Sequence, residues 1–130
     1  MSEWHLRGKV LGFVEYERYA LQAAFGEESP FRLLACSDAP ISFAVVNPYY
    51  IMEDYSFEIE DEIADKVMLK RSEMDNIAVL CVVRADEKML YVNLRSPIII
   101  NIKQGLFIQT ILQNDLYGVS VPFVAKKAKE

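Results

Sequence analysis

Residues 77–84 read Ile-Ala-Val-Leu-Cys-Val-Val-Arg, an almost unbroken apolar run rich in β-branched side chains. The run is too short for a typical helix, and the spacing predicts a buried central strand. The polar turn Ala85-Asp86-Glu87-Lys88 follows. Met89 to Arg95 then alternates, with Tyr91, Asn93 and Arg95 on one side and Val92 and Leu94 on the other. Two such runs across a short polar turn predict a β-hairpin.

The rest of the chain carries the same punctuation. Strands are expected at Lys9 to Phe13, Tyr16 to Gln22, Phe31 to Cys36 and Ile41 to Val46, the last ending at Asn47-Pro48 because proline has no N–H for a ladder. Pro97 interrupts before Ile98 to Ile102, Gln104-Gly105 turns the chain, and Leu106 to Leu112 forms a further strand closed by Gln113-Asn114-Asp115. One stretch has helical spacing: Ile59, Ile63 and Val67 recur every four residues among Glu60, Asp61, Glu62 and Asp65. Acids in a first turn suit the helix dipole, so a short helix is expected near Asp61 to Val67. Many short strands with one short helix predict an all-β fold, a small antiparallel β-barrel-like or sandwich domain. A single domain is expected over 1–130, with a frayed basic tail at about 125–130 that includes Lys126, Lys127 and Lys129.

Composition removes several function classes. At 130 residues, 52% hydrophobic, the chain needs neither disulfides nor a metal to fold. Its net charge of −5 argues against binding nucleic acid or docking on an anionic membrane. Cys36 and Cys81 lie in apolar runs and read as free, structural thiols. Met1 to His5 has no basic stretch followed by an apolar core, so no signal peptide and a cytoplasmic location are expected. His5, the one histidine, falls in what reads as a flexible start, and no cysteines or histidines have zinc spacing. Gly105 and Gly118 stand alone, so no phosphate-cradling loop is present. Neither enzyme activity nor a cofactor or metal is expected.

Three features could carry binding. Glu53 to Asp65 holds seven carboxylates and no base; it is either a solvated loop and helix face or a docking surface for a basic partner. The run Asn47-Pro48-Tyr49-Tyr50-Ile51-Met52, with Tyr55 and Phe57, must bury its rings in its own core or in a partner. Inward packing of Tyr50, Ile51 and Phe57 is the simpler alternative, and both roles are expected, of different rings. The stretch Asn93-Leu94-Arg95-Ser96-Pro97 reads as a strand end that Pro97 stops.

Several segments, in order, resemble the FliW flagellar assembly factors. These are Gly12-Phe13 with Tyr19-Ala20-Leu21; Ser29-Pro30-Phe31 with Leu34 and Ser37; Ile41 to Pro48; and Asp54-Tyr55 with the acids to Glu62. The fullest piece is Val92-Asn93-Leu94-Arg95-Ser96-Pro97-Ile98-Ile99-Ile100-Asn101, with Gln109 at the family's glutamine spacing. Leu11 stands where the family usually has proline, and the basic turn between Asn101 and Gln109 is reduced to Lys103. The resemblance implies a small non-catalytic β-barrel-like protein of the cytoplasm. Such proteins bind newly made flagellin before export and, once freed, antagonise CsrA, a basic RNA-binding repressor of flagellin translation. On that footing Asn47 and Pro48 would shape a rigid loop; Tyr49, Asp54 and Tyr55 would anchor a partner; Glu58, Glu60, Asp61 and Glu62 would steer it. The rival reading is a small-molecule carrier with a ligand inside the barrel. Phe31, Phe43, Leu80 and Ile100, if they fill that interior, would leave no room for one.

Overall fold

A computed structural model describes residues 3–123 of the chain. The expected basic tail at 125–130 lies outside them. Nine strands follow one another: β1 (Glu3–Lys9), β2 (Arg18–Gln22), β3 (Phe31–Cys36), β4 (Ser42–Val46), β5 (Ile77–Ala85), β6 (Leu90–Val92), β7 (Ile98–Asn101), β8 (Leu106–Gln109) and β9 (Val121–Phe123). The one α-helix, α1 (Asp61–Lys66), lies between β4 and β5 with 3-10 turns at Pro48–Tyr50 and Arg71–Asn76. The strands run in the order β4-β3-β2-β1-β8-β7-β5-β6-β9, and β4 also pairs with β5. That extra pairing closes seven strands into a barrel. The sequence reading of a mostly β, barrel-like domain with one short helix therefore holds. All the pairings are antiparallel but one: β1 meets β8 in parallel.

Strand β5 is the hub. Its outer half pairs with β6 (Val83 opposite Val92) and its inner half with β7 (Leu80 opposite Ile98), while β4 runs along its other edge. Alternate side chains then serve different cores. Leu80 points into the barrel with Leu6, Tyr19, Leu34, Val45, Ile98, Ile100 and Phe107. Val79, Cys81 and Val83 point outward, into a second cluster with Val46, Tyr55, Val92 and Leu94. Ile99 also points outward, beneath α1, with Ile59, Ala64, Val67 and Leu69. A strand covered on both faces needs apolar residues at every position, which is why β5 and β7 read as continuous runs. The barrel interior is filled, so the carrier reading finds no support there. Phe31 does not help to fill it; it packs in the outward cluster with Ile51, Met52 and Phe123.

Several expected boundaries move. Lys9 to Phe13 is not a strand. The first strand is Glu3–Lys9, and His5 sits within it, exposed, opposite Ala20, rather than in a loose start. The chain leaves β1 through a turn at Gly12, whose φ of +87° lies in the left-handed region. The expected strand Met89 to Arg95 shortens to β6, because the Asn93 side chain accepts from the N–H groups of Arg95 and Ser96 and folds the chain into a turn. That agrees with reading Asn93 to Pro97 as a strand end. β8 stops at Gln109, although Thr110 and Leu112 still donate to the carbonyls of Pro97 and Arg95. Cys36 and Cys81 are both free, half-buried and buried respectively. No helix among the described residues is long and apolar enough to cross a membrane.

Candidate functional site

Between β4 and β5 the chain makes a long excursion over the outside of the barrel, and every residue expected to meet a partner lies on it. It begins at Asn47, which caps the following 3-10 turn: its side-chain oxygen accepts from the Tyr49 N–H at 2.9 Å. Pro48 occupies the first position of that turn and is buried. Proline fixes φ there and loses no hydrogen bond, so the two residues set a rigid exit from β4. Tyr49 and Tyr50 follow, 44% and 66% exposed. Tyr50 thus faces outward, while Ile51 and Phe57 are half-buried, so different residues of the run take the two roles.

Tyr55 is the brace of the excursion. It is 2% exposed, and its hydroxyl donates to the Leu94 carbonyl at 2.7 Å. Three rings surround it, those of Tyr49, Phe57 and Tyr117, with centroids 5.8, 5.6 and 4.6 Å away. Burial pushes its hydroxyl well above the usual tyrosine range and the neighbouring Cys81 thiol up to about 12. Tyr55 was expected to anchor a partner directly; so deeply buried, it anchors the loop instead. Tyr117, which the sequence did not single out, completes the clamp: its hydroxyl accepts from the Ser56 N–H and donates to the Ser56 carbonyl. An isolated tyrosine in a turn-rich stretch gave no signal of that role.

The acidic residues ride on the outside of this braced segment. Glu53, Asp54, Glu58, Glu60, Asp61, Glu62 and Asp65 are all exposed. Asp61 pairs with Arg71, which also reaches the Ile59 carbonyl, and Glu62 lies 3.9 Å from Lys66 one helical turn on. Among the described residues, Glu53, Asp54, Glu58 and Glu60 have no ion-pair partner. Phe57, Glu58 and Ile59 line two grooves. One, of about 480 Å³, runs beneath Tyr49 toward Met74 and Val79; the other, of about 280 Å³, lies against Thr110 to Asn114. Exposed rings, two grooves of mixed polar and apolar lining and unneutralised carboxylates lie along the same excursion.

The helix under this face is held from below. Only six residues long, α1 has Asp61 and Glu62 in its first turn and Lys66 in its last, as the dipole favours. It ends in a Schellman motif: Leu69 N–H bonds the Ala64 carbonyl and Met68 N–H the Asp65 carbonyl. Met68 takes the left-handed position usually given to glycine, at φ +57°. Buried Asn101 donates to the carbonyls of Val67 and Met68, tying the helix end to β7. Among the described residues, no three His, Cys, Asp or Glu side chains converge as metal ligands.

The FliW protein family model matches residues 4–123. The flagellar assembly factor FliW of Caldanaerobacter subterraneus subsp. tengcongensis is 33% identical over 118 residues, 88% of this chain and 77% of that protein. Its counterpart in Ruminiclostridium cellulolyticum is 32% identical over 111 residues, 85% of this chain and 75% of that protein. A crystal structure of a flagellar assembly factor FliW has the same fold, with a TM-score of 0.83 at 22% identity over 95% of this chain and 88% of that one. This chain, a barrel closed by the β4–β5 pairing that carries a braced acidic excursion and is matched along nearly its whole described length, belongs to the FliW family of flagellar assembly factors.

Proposed function

We propose that this chain is a non-catalytic, cytoplasmic protein-binding regulator of flagellum assembly, working as one domain. It binds flagellin before export and, when flagellin is consumed, antagonises the translational repressor CsrA, so that flagellin synthesis follows export. The observation that carries the reading is the exposed face from Asn47 to Glu62. Asn47 and Pro48 set its entry, Tyr49 and Tyr50 supply exposed rings, and Asp54, Glu58, Glu60, Asp61 and Glu62 supply negative charge. Clustered charge of one sign speeds association with a partner of the other sign and rejects like-charged competitors. A basic RNA-binding repressor fits that sign. Tyr55 acts in this reading through the loop it braces.

The test is a binding assay of the purified protein against flagellin from its own organism, with CsrA run in parallel. Binding to flagellin that CsrA displaces or weakens supports the switch. The combined substitution Glu60→Lys, Asp61→Lys and Glu62→Lys is expected to abolish CsrA binding with the circular dichroism spectrum unchanged. Unaltered CsrA affinity in that variant removes the acidic face from the proposal. Binding to neither protein removes the function.

A further inference from the structure

A groove of opposite sign adjoins the end of α1. Strands β1 and β8 touch in register over three residues each: Arg7 opposite Leu106, Gly8 opposite Phe107 and Lys9 opposite Ile108. Gly8 and Phe107 turn into the barrel, so Arg7, Lys9, Leu106 and Ile108 face out. These residues, with Glu17 and with Lys66 from the end of α1, line a groove of about 500 Å³. Its floor is apolar, from half-buried Leu106 and Ile108. At the turn beyond β1, Leu11 and Val14 expose further apolar surface, 41% and 56% exposed.

The rims are cationic on a protein whose net charge is −5. Arg7 and Lys9 converge on a single carboxylate, that of Glu17, at 3.5 and 3.0 Å. The Lys9 ammonium beside it holds the Glu17 carboxyl below its ordinary range. The chain therefore displays, with its own side chain, where a carboxylate rests at this groove. Lys66 on the facing wall has only Glu62, 3.9 Å away, and both are more than half exposed. Exposed pairs of this kind exchange partners at little cost.

We propose that this groove is a second interaction surface, which takes an acidic, apolar segment of a protein partner. The segment's apolar side chains would lie on Leu106 and Ile108, and its carboxylates would pair with Lys66 and compete with Glu17 for Arg7 and Lys9. Glu17 then acts as an internal competitor that sets the affinity. The groove adjoins the acidic face at Asn47 to Glu62, since its Lys66 wall pairs with Glu62, and it is opposite in charge.

The experiment uses the full chain and a fluorescein-labelled peptide built of Glu, Leu and Ser, read by fluorescence anisotropy and by amide chemical-shift mapping. Two control peptides replace Glu by Lys and Leu by Ser. The acidic, apolar peptide is expected to bind best and to shift the amides of residues 7–9, 66 and 106–108. Lys66→Glu is expected to weaken it about fivefold, whereas Glu17→Gln, by freeing both cations, is expected to tighten it about threefold. Both side chains are exposed, so each variant is expected to fold, and a two-state urea curve is the check. Equal binding of the lysine peptide, shifts confined to 47–62, or no gain from Glu17→Gln each overturn the proposal.

Discussion

The Tyr55 hydroxyl donates to the Leu94 carbonyl across 39 positions of chain, in a place where neither group reaches water. This bond and the ring packing around it fasten the acidic excursion to the barrel. Tyr55→Phe keeps the packing and orphans a buried carbonyl, at a cost of about 1–3 kcal/mol. The urea midpoint is expected to fall with an unchanged slope, because the surface exposed on unfolding stays the same. Partner affinity is expected to fall with it, since the loop is less firmly set.

The same cluster makes the fold sensitive to alkali. Burial raises the Cys81 thiol from 9.0 to about 12, so the folded state keeps its proton where the unfolded chain loses it. As pH rises above about 9 the unfolded state binds fewer protons, and stability falls with pH until the folded thiol also ionises. The loss therefore spans pH 9 to about 12, and the contribution is complete below that window. Cys81→Ala is expected to flatten the first part of this decline. Chemical denaturation at pH 7, 9 and 10 measures it; an equal slope in both proteins would assign the decline to the raised tyrosines instead.

Gly8 is where the barrel closes most tightly. A Cβ on it would meet the Phe107 carbonyl oxygen at 2.0 Å, against backbone that cannot swing aside. Gly8→Ala is expected to cost about 3 kcal/mol or more, or to leave the β1–β8 seam open. Gly12 has free space around it but a φ of +87°, so Gly12→Ala is expected to cost only about 1–2 kcal/mol. Thermal denaturation of the two variants side by side separates close approach from backbone conformation.

Asn101 links α1 to the barrel. Besides donating to Val67 and Met68, its side-chain oxygen accepts from the N–H of Lys103 and Gln104. Asn101→Leu strands the buried Val67 carbonyl and loses three part-buried bonds, at about 1–3 kcal/mol, and hydrogen exchange is expected to rise first in residues 61–70. Met68→Gly is expected to move stability the other way by up to about 1 kcal/mol, by relieving the left-handed residue at the helix end.

What the sequence displays depends on how each strand is covered. β3, β4 and β5 are legible because burial on both faces, or a proline stop at Pro48, leaves a mark in composition. β1 alternates Trp4, Leu6 and Gly8 against Glu3, His5, Arg7 and Lys9, but the glycine replaces the third apolar residue and hides the pattern. β9 has Pro122 at its centre and no strand signal at all; it forms because Val121 and Phe123 pack under the excursion. The acidic face is legible as charge, since solvated carboxylates need no partner to be read. Tyr55 is not legible as a brace, because an aromatic residue beside acids looks the same whether its ring points in or out. The basic groove is invisible in sequence, since Arg7, Lys9, Lys66, Leu106 and Ile108 meet only through the barrel's closure.

The parallel seam also sets the order of events on the ribosome. β1 leaves the exit tunnel long before its β8 partner. Until β8 emerges, the outer edge of β1 stays unpaired, and β2 to β4 can form only an open meander beside it. The barrel core, and with it the platform under the acidic excursion, is completed only once β8 has emerged. A partner that reads the finished face therefore meets only chains whose β8 has already emerged.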